Sequence, residues 1–209
     1  TGKPVNRFLH IAESREDLVM QNKMQRRLGQ LTGTCFQRCV GMDAINMLHS
    51  VTFEMDAKAG SQYHKRFLAF LSEMQAGNLV IGGAMTDVKG DRGKAPSEQD
   101  DPDLFVHVTK RTKDGIHISG AKAHQTGCVN SHWLVVMPTM RLGPADKDYA
   151  VVGALPVDAP GITYIYGRQS CDTRSGDGPI DAGNAGFAGQ EAMVVFDDVF
   201  IPWERVFMD

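Results

Sequence analysis

The sequence predicts an α+β protein in which a helical N-terminal region precedes a β-rich region. Apolar residues recur at helical spacing through about residue 77, whereas short alternating apolar runs separated by Gly, Pro and Asp turns follow from residue 104 onward. Of the 209 residues, 42% are hydrophobic and 22% charged, a composition typical of a folded domain with a sizeable core.

Three helices are predicted in the first third, over about residues 15–29, 35–57 and 61–77. The first opens with Ser14 three residues before Asp17, which is the spacing of a capping box. Glycine-containing breaks separate the three apolar patterns, as is usual at helix ends. We therefore expect a helical bundle or layer at this end of the chain.

A long polar and Gly-rich connection over residues 79–103 predicts a boundary between a helical domain, residues 1–80, and a β domain, residues 81–209. The dipeptide Asp114-Gly115 lies between two alternating runs, which is a strong hairpin signal. Further short strands at regular spacing are predicted over residues 133–137, 149–155, 162–166 and 193–196. Such spacing indicates a barrel or a sandwich.

The charge pattern argues against a nucleic-acid or membrane-surface partner. The net charge is -3, and the basic residues are scattered along the chain. No apolar stretch approaches the roughly 20 residues that cross a bilayer, and no basic-then-apolar leader opens the sequence. We expect a cytoplasmic protein.

Because the chain starts at Thr1 without Met and stops at Asp209 soon after a strand-like run, we also expect a fragment.

Two cysteines stand four residues apart in the sequence Thr34-Cys35-Phe36-Gln37-Arg38-Cys39. On a helix, Cys35 and Cys39 would lie on one face, one turn apart, and their soft sulfur atoms could bind iron. Buried cysteines are also common core residues, so the spacing alone leaves both interpretations open. Two ligands complete no metal site, and Cys128 and Cys171 have no persuasive spacing to the pair.

Two loops and one carboxylate are further candidates for a site. The segments 83–92 and 121–127 are rich in glycine, small and polar residues, which suits either close contact with a flat ligand or a plain surface loop. Glu191 lies between a Gly-rich run and an apolar strand. A glutamate there can act as an acid, a base or a hydroxyl partner, or it can simply be solvated.

Taken together, several motifs resemble the 4-hydroxybutyryl-CoA dehydratase family. They lie at residues 6–10, 32–39, 86–92, 124–127 and 195–207. The Gly-Asp-Arg loop and the Phe-Asp-Asp-Val-Phe-Ile-Pro-Trp-Glu-Arg segment are similar to those of the wider group of flavin-dependent 4-hydroxyphenylacetate 3-hydroxylases. The cysteine pair distinguishes the dehydratases within that group.

The resemblance implies a fold like that of acyl-CoA dehydrogenases. An N-terminal helical domain and a middle β-barrel would be followed by a C-terminal helical bundle, absent from this sequence, in a homotetramer. It implies radical dehydration of the thioester 4-hydroxybutyryl-CoA to crotonyl-CoA with FAD and a 4Fe-4S cluster, and isomerisation of vinylacetyl-CoA. The alternative is an aromatic monooxygenase that uses reduced FAD and contains no iron.

The resemblance also implies roles for individual residues. Cys35 and Cys39 would bind the cluster, with the remaining His and Cys ligands beyond Asp209. Glu191 and Gln37 would face the substrate. The residues implied in FAD binding are Met85, Thr86, Asp87, Val88, Lys89, Gly90, Asp91, His124, Gln125 and Thr126, the last with its hydroxyl near the flavin ring.

Overall fold

A computed structural model describes residues 4–33, 38–166 and 191–209. Its secondary structure is arranged in three layers. Two helices form the outer layer, a four-stranded sheet lies beneath them, and a second four-stranded sheet forms the third layer. The mixed helix and sheet class predicted from the sequence is confirmed.

The three predicted helices are present as α1 (Arg15–Thr32), α2 (Cys39–Ala59) and α3 (Tyr63–Gly77). Helix α1 begins with the predicted capping box between Ser14 and Asp17, and it ends at Gly33, whose φ of 71° is left-handed. Helix α1 buries none of its side chains against the described part of the chain. Helices α2 and α3 pack against each other and against the first sheet.

The eight described strands are β1 (Ile81–Ala84), β2 (His107–Arg111), β3 (Gly115–Thr126), β4 (Trp133–Val136), β5 (Val152–Pro156), β6 (Ile162–Tyr166), β7 (Glu191–Pro202) and β8 (Val206–Met208). The first sheet has the order β1-β4-β5-β8, in which β1 runs parallel to β4. The second has the order β2-β3-β7-β6 and is antiparallel. The predicted hairpin at Asp114-Gly115 joins β2 to β3.

The closed barrel that the resemblance implied is not confirmed. A barrel requires a strand ladder that continues around the whole circumference. In the described ranges the strands instead form two sheets, and one isolated bridge, between Asp87 and Lys122, connects the chain leaving β1 to β3. After that single bridge the chain turns away, so β1 and β3 do not form a continuous ladder.

Two hydrophobic cores hold the layers together. One lies between the sheets and includes Ile116, Val194 and Phe196. The other lies between the helices and the first sheet, where Phe67 and Phe207 meet edge to face at 5.8 Å and are both fully buried. Burying such a side chain contributes about 1.5 to 3 kcal/mol. The helical layer and the first sheet thus share a core, and the domain division at residue 80 stays a prediction.

The α2–α3 helix pair contains a titratable group whose protonation opposes folding. His64 is half-buried, its Nδ1 lies 3.0 Å from Thr52 Oγ1, and its ring centroid is 5.0 Å from that of His49. Burial lowers the pKa of His64, and the charge of His49 lowers it further, while Asp56 opposes the shift. The native protein therefore binds a proton here more weakly than the unfolded chain does.

We predict that the free energy of unfolding falls as the pH drops through the ordinary histidine range near 6.5, and that it recovers as the pH rises. Urea melts of His64→Gln at pH 5 and pH 7 should show a smaller difference than those of the wild type. Lys65→Gln, at an exposed neighbouring position, should retain the wild-type difference. Equal differences in the wild type and His64→Gln would contradict the assignment.

Candidate active site

The first turn of α2 packs directly on β1. A Cβ on Gly83 would lie 2.3 Å from Cγ1 of Val40, and one on Gly41 would lie 2.1 Å from the carbonyl oxygen of Ile81. Only glycine leaves room for this approach on either side. Cys39, next to Val40, therefore starts the helix at the place where the helix contacts the strand.

Cys39 is half-buried and is the first residue of α2. The expected helix start at Cys35 is wrong, because α2 begins at Cys39 and Arg38 is its N-cap residue. Cys35 and Gln37 lie outside the described residues.

The chemistry of Cys39 suits a soft metal ligand. A helix N-terminus favours negative charge and so favours a thiolate, the form that binds iron. Arg38, at the N-cap, makes no side-chain capping bond. Within residues 4–33, 38–166 and 191–209, no group of three or more His, Cys, Asp or Glu side chains is arranged to hold a metal. The described part thus supplies one cysteine of the predicted cluster ligands.

The predicted flavin segment begins where β1 ends. The N–H of Met85 donates to Oε1 of Gln125 at 2.9 Å, and the N–H of Ala123 donates to the carbonyl of Thr86 at 2.9 Å. Lys89 and Gly90 then have positive φ angles of 84° and 49°, which turn the backbone. The segment is therefore anchored to β3 at its start and turns sharply further along.

A β-bulge in β3 arranges the second predicted flavin segment. Lys122 pairs with Val194, but the next pair is Gln125 with Ala192, so β3 contains one extra residue. His124 is exposed at the bulge with a φ of 66°. Because the extra residue shifts the alternation, Lys122 and Gln125 are both buried.

Thr126 and Glu191 form the last registered pair of β3 and β7. Directly opposite residues project from the same face, so the hydroxyl and the carboxylate are neighbours, and both residues are half-buried. Close by, burial raises the pKa of the Cys128 thiol, and the charge of Glu191 adds to the shift. Such a pair can bind a substrate hydroxyl and exchange a proton with it.

The structure thus brings several predicted residues to one end of β1 and β3. Met85 and Thr86 contact the Gln125 side chain, and Thr126 pairs with Glu191. The side chains of Asp87 and Gln125 point into the protein, where each is 3% exposed, so any contact of these two residues with a cofactor would involve their backbone.

Sequence reasoning missed Lys122, which is 2% exposed and forms an ion pair with Asp87. The signal was available, because Lys122 occupies an inward position of an alternating strand between two alanines. A buried lysine requires a partner, and a nearby carboxylate is the usual one.

The Phe-Asp-Asp-Val-Phe segment, in contrast, determines the local shape of the second sheet. Asp198 has a φ of 52° at a second register shift between β3 and β7, and its N–H donates to Ser119 Oγ at 3.1 Å. The N–H of Asp197 donates to the carbonyl of Gly161 at 2.9 Å. These contacts link the strand bulge to the loop before β6.

The fold and the site together define a class of domain, in which a helical layer covers two sheets and the candidate residues lie at the ends of β1 and β3. The chain belongs to the family described as 4-hydroxyphenylacetate 3-hydroxylase N terminal, which matches residues 1–208. A solved HpaB oxygenase complexed with FAD has a TM-score of 0.77 and 25% identity over 99% of this chain and 42% of its own. A 4-hydroxyphenylacetate 3-monooxygenase oxygenase component of Geobacillus sp. is 36% identical, with 100% of this chain and 42% of the relative covered.

Two dehydratases are more similar to this chain. The 4-hydroxybutyryl-CoA dehydratase/vinylacetyl-CoA-Delta-isomerase of Clostridium aminobutyricum is 56% identical over 99% of this chain and 43% of the relative. An oxygen-tolerant archaeal 4-hydroxybutyryl-CoA dehydratase from N. maritimus has 69% identity and a TM-score of 0.92, with 100% of this chain and 42% of the relative covered. The resemblance found in the sequence is confirmed, and the chain spans less than half the length of these relatives.

No helix in the described ranges is long and apolar enough to cross a membrane.

We predict that Gly41→Ala lowers the free energy of unfolding by about 1 to 3 kcal/mol, since the added Cβ would overlap the backbone of β1. In an exposed helix the same change would stabilise by up to about 1 kcal/mol. Ser50→Ala, on the exposed side of the same helix, should change stability by less than about 0.5 kcal/mol. Denaturant melts of the wild type and of both variants measure the free energies of unfolding. A Gly41→Ala variant more stable than the wild type would disprove the close contact of α2 with β1.

Proposed function

We propose that this protein dehydrates 4-hydroxybutyryl-CoA to crotonyl-CoA and isomerises vinylacetyl-CoA. The observation that carries the proposal is the identity of 56% and 69% to two dehydratases over 99% and 100% of this chain. The hydroxylase relatives named above are only 25% and 36% identical. The cysteine pair, which the resemblance gives to the dehydratases, supports the same choice.

The reaction explains why two cofactors are needed. The hydroxyl leaves C4, one hydrogen leaves each of C2 and C3, and a double bond forms between C2 and C3. One of these hydrogens departs with the hydroxyl as water, and the other is balanced by a proton that ends on C4. The hydrogen on C3 is β to the thioester carbonyl, so a base alone cannot remove it readily. When bound, FAD supplies one-electron chemistry and a 4Fe-4S cluster supplies a Lewis-acid iron.

The protein groups hold and orient these components. Cys39 and Cys35 bind the cluster at the start of α2. The backbone of Met85–Asp91, together with His124, Gln125 and Thr126, contacts FAD. These assignments are supported by the anchoring of Met85 and Thr86 to β3 and by the contact of α2 with β1.

The substrate is bound next to the Thr126 and Glu191 pair. Thr126 orients the thioester against the flavin through its hydroxyl. Glu191 holds a proton at the C4 hydroxyl of the substrate, and Gln37 lines the same cavity. The cross-strand register of Thr126 and Glu191 supports their joint action.

We also propose the larger architecture that the resemblance implies. Residues 1–80 form a helical domain and residues 81–209 a middle β domain of the acyl-CoA dehydrogenase type, closed into a barrel in the complete protein. A C-terminal helical bundle follows, and four copies assemble into a homotetramer in the cytoplasm. The two sheets that face each other across one core support the middle β domain of this arrangement.

The proposal is tested by assaying the anaerobically purified full-length protein with 4-hydroxybutyryl-CoA and with vinylacetyl-CoA. Formation of crotonyl-CoA from both is expected. Hydroxylation of a phenol that depends on reduced FAD, without crotonyl-CoA formation, would assign the protein to the monooxygenases instead.

We predict that Cys39→Ala removes most of the bound iron while FAD remains, because the cluster loses a thiolate ligand. Iron and sulfide analysis and the flavin absorption spectrum measure both cofactors. Cys128→Ala is the matched control, since this buried thiol lies outside the proposed cluster ligands and should leave the iron content unchanged. Full iron content in Cys39→Ala would contradict the cluster assignment.

We predict that Glu191→Gln lowers the dehydration rate about 100-fold or more, the usual contribution of a positioned acid or base. Isomerisation of vinylacetyl-CoA should fall less, because no hydroxyl leaves in that reaction. The two kcat values measured on one preparation give the ratio. Equal losses in both reactions would exclude a specific role for Glu191 at the C4 hydroxyl.

A further inference from the structure

Lys122 is buried among elements that belong to both sheets. Its ammonium donates to Asp87 Oδ1 at 2.5 Å, to the carbonyl of Met85 at 2.9 Å and to the carbonyl of Met137 at 2.8 Å. An ammonium group has three protons, so its donor capacity is fully used. Lys122 thereby joins β3 to the chain leaving β1 and to the chain leaving β4.

The carboxylate of Asp87 is likewise hydrogen-bonded through both of its oxygens. Asp87 is 3% exposed, and its Oδ2 accepts hydrogen bonds from Oγ1 of Thr139 at 2.5 Å and from the N–H of Thr139 at 3.4 Å. Both carboxylate oxygens are therefore occupied by protein groups. The side chain of Asp87 is therefore bound by Lys122 and Thr139 and is too buried to contact a ligand.

A buried ion pair is weak evidence for stability, because well-packed apolar residues often stabilise a fold equally well. What an apolar pair cannot do is orient individual carbonyl groups. Lys122 fixes the carbonyl of Met85, while Gln125 accepts from the N–H of Met85 and donates to the carbonyl of Thr86 at 3.0 Å. Two buried side chains of β3 thus determine the direction in which the segment leaves β1.

The same two side chains flank the β3 bulge that precedes Thr126. The position of Met85–Asp91 and the position of the Thr126 hydroxyl are consequently set by one short stretch of β3. Loss of the ion pair would leave the segment held to this stretch only by the bonds of Gln125 and Ala123 to Met85 and Thr86, although the sheets would keep their separate hydrophobic core.

We propose that Lys122 and Asp87 are a positioning pair that holds the flavin-contacting backbone of Met85–Asp91 in a fixed place relative to Thr126. The inference rests on the proposed function, because it takes this segment to be the flavin site. Neither side chain touches the flavin, and both act through the backbone that they orient.

The test measures the FAD dissociation constant of the full-length protein by flavin fluorescence, together with the melting temperature of the flavin-free protein. Lys122→Met removes the charge and the three hydrogen bonds at similar volume. We expect its dissociation constant to rise about tenfold or more, as is typical for residues that orient ligating groups, with a changed visible circular dichroism of bound FAD. Asp87→Asn keeps the shape and one acceptor, so a smaller rise is expected.

Ile201→Val and Ile201→Ala are the controls. Ile201 is fully buried in β7 opposite Ile116, at the other end of β3. Truncating its side chain should lower the melting temperature without changing the contacts of Met85–Asp91. At a matched melting temperature these variants should bind FAD as the wild type does. If Lys122→Met does not fold, the FAD dissociation constant of Asp87→Asn is compared with that of the Ile201 variants at a matched melting temperature, and this comparison tests the inference.

Two outcomes would overturn the inference in distinguishable ways. If the wild type binds FAD and the Lys122 and Asp87 variants bind it no more weakly than the Ile201 controls, the pair is merely structural. If the wild type binds no FAD, the proposed function fails and the inference fails with it.

Discussion

Strand β1 and the three residues after it must contact α2, β4 and β3 at the same time, and the arrangement of the candidate site depends on this constraint. Glycines at positions 41 and 83 allow the helix to approach the strand. The Lys122 and Asp87 ion pair then draws the departing chain onto β3. As a result Cys39 at the start of the helix, the Met85–Asp91 segment and the end of β3 are held by one continuous set of contacts.

Much of the fold could be predicted because its signals are local. The Ser14 and Asp17 capping box marks the start of α1, and Asp114-Gly115 marks the hairpin between β2 and β3. Strand β1 was missed because Gly82-Gly83 indicates a turn when it is considered alone. Those glycines lie in a strand because a helix packs on them, and such tertiary contacts are invisible to local patterns.

The candidate site was harder to predict for a similar reason. Motif resemblance pointed to Thr126 and Glu191, but their cross-strand pairing depends on an extra residue at the β3 bulge, which no periodicity indicates. The ion pair of Lys122 and Asp87 joins residues far apart in sequence. The roles of Cys35 and Gln37 stay predictions, since both lie outside the described residues.

The relatives of the chain include both hydroxylases and dehydratases, and the proposed flavin segments suit either activity. The central claim is therefore that iron binds at the start of α2. Anomalous diffraction at the iron edge from crystals of the anaerobically purified full-length protein tests it most directly. We expect an iron peak within bonding distance of the Cys39 sulfur, at about 2.3 Å, the typical length of a metal–thiolate bond. A clear map with flavin near Thr126 and no iron at Cys39 would contradict it.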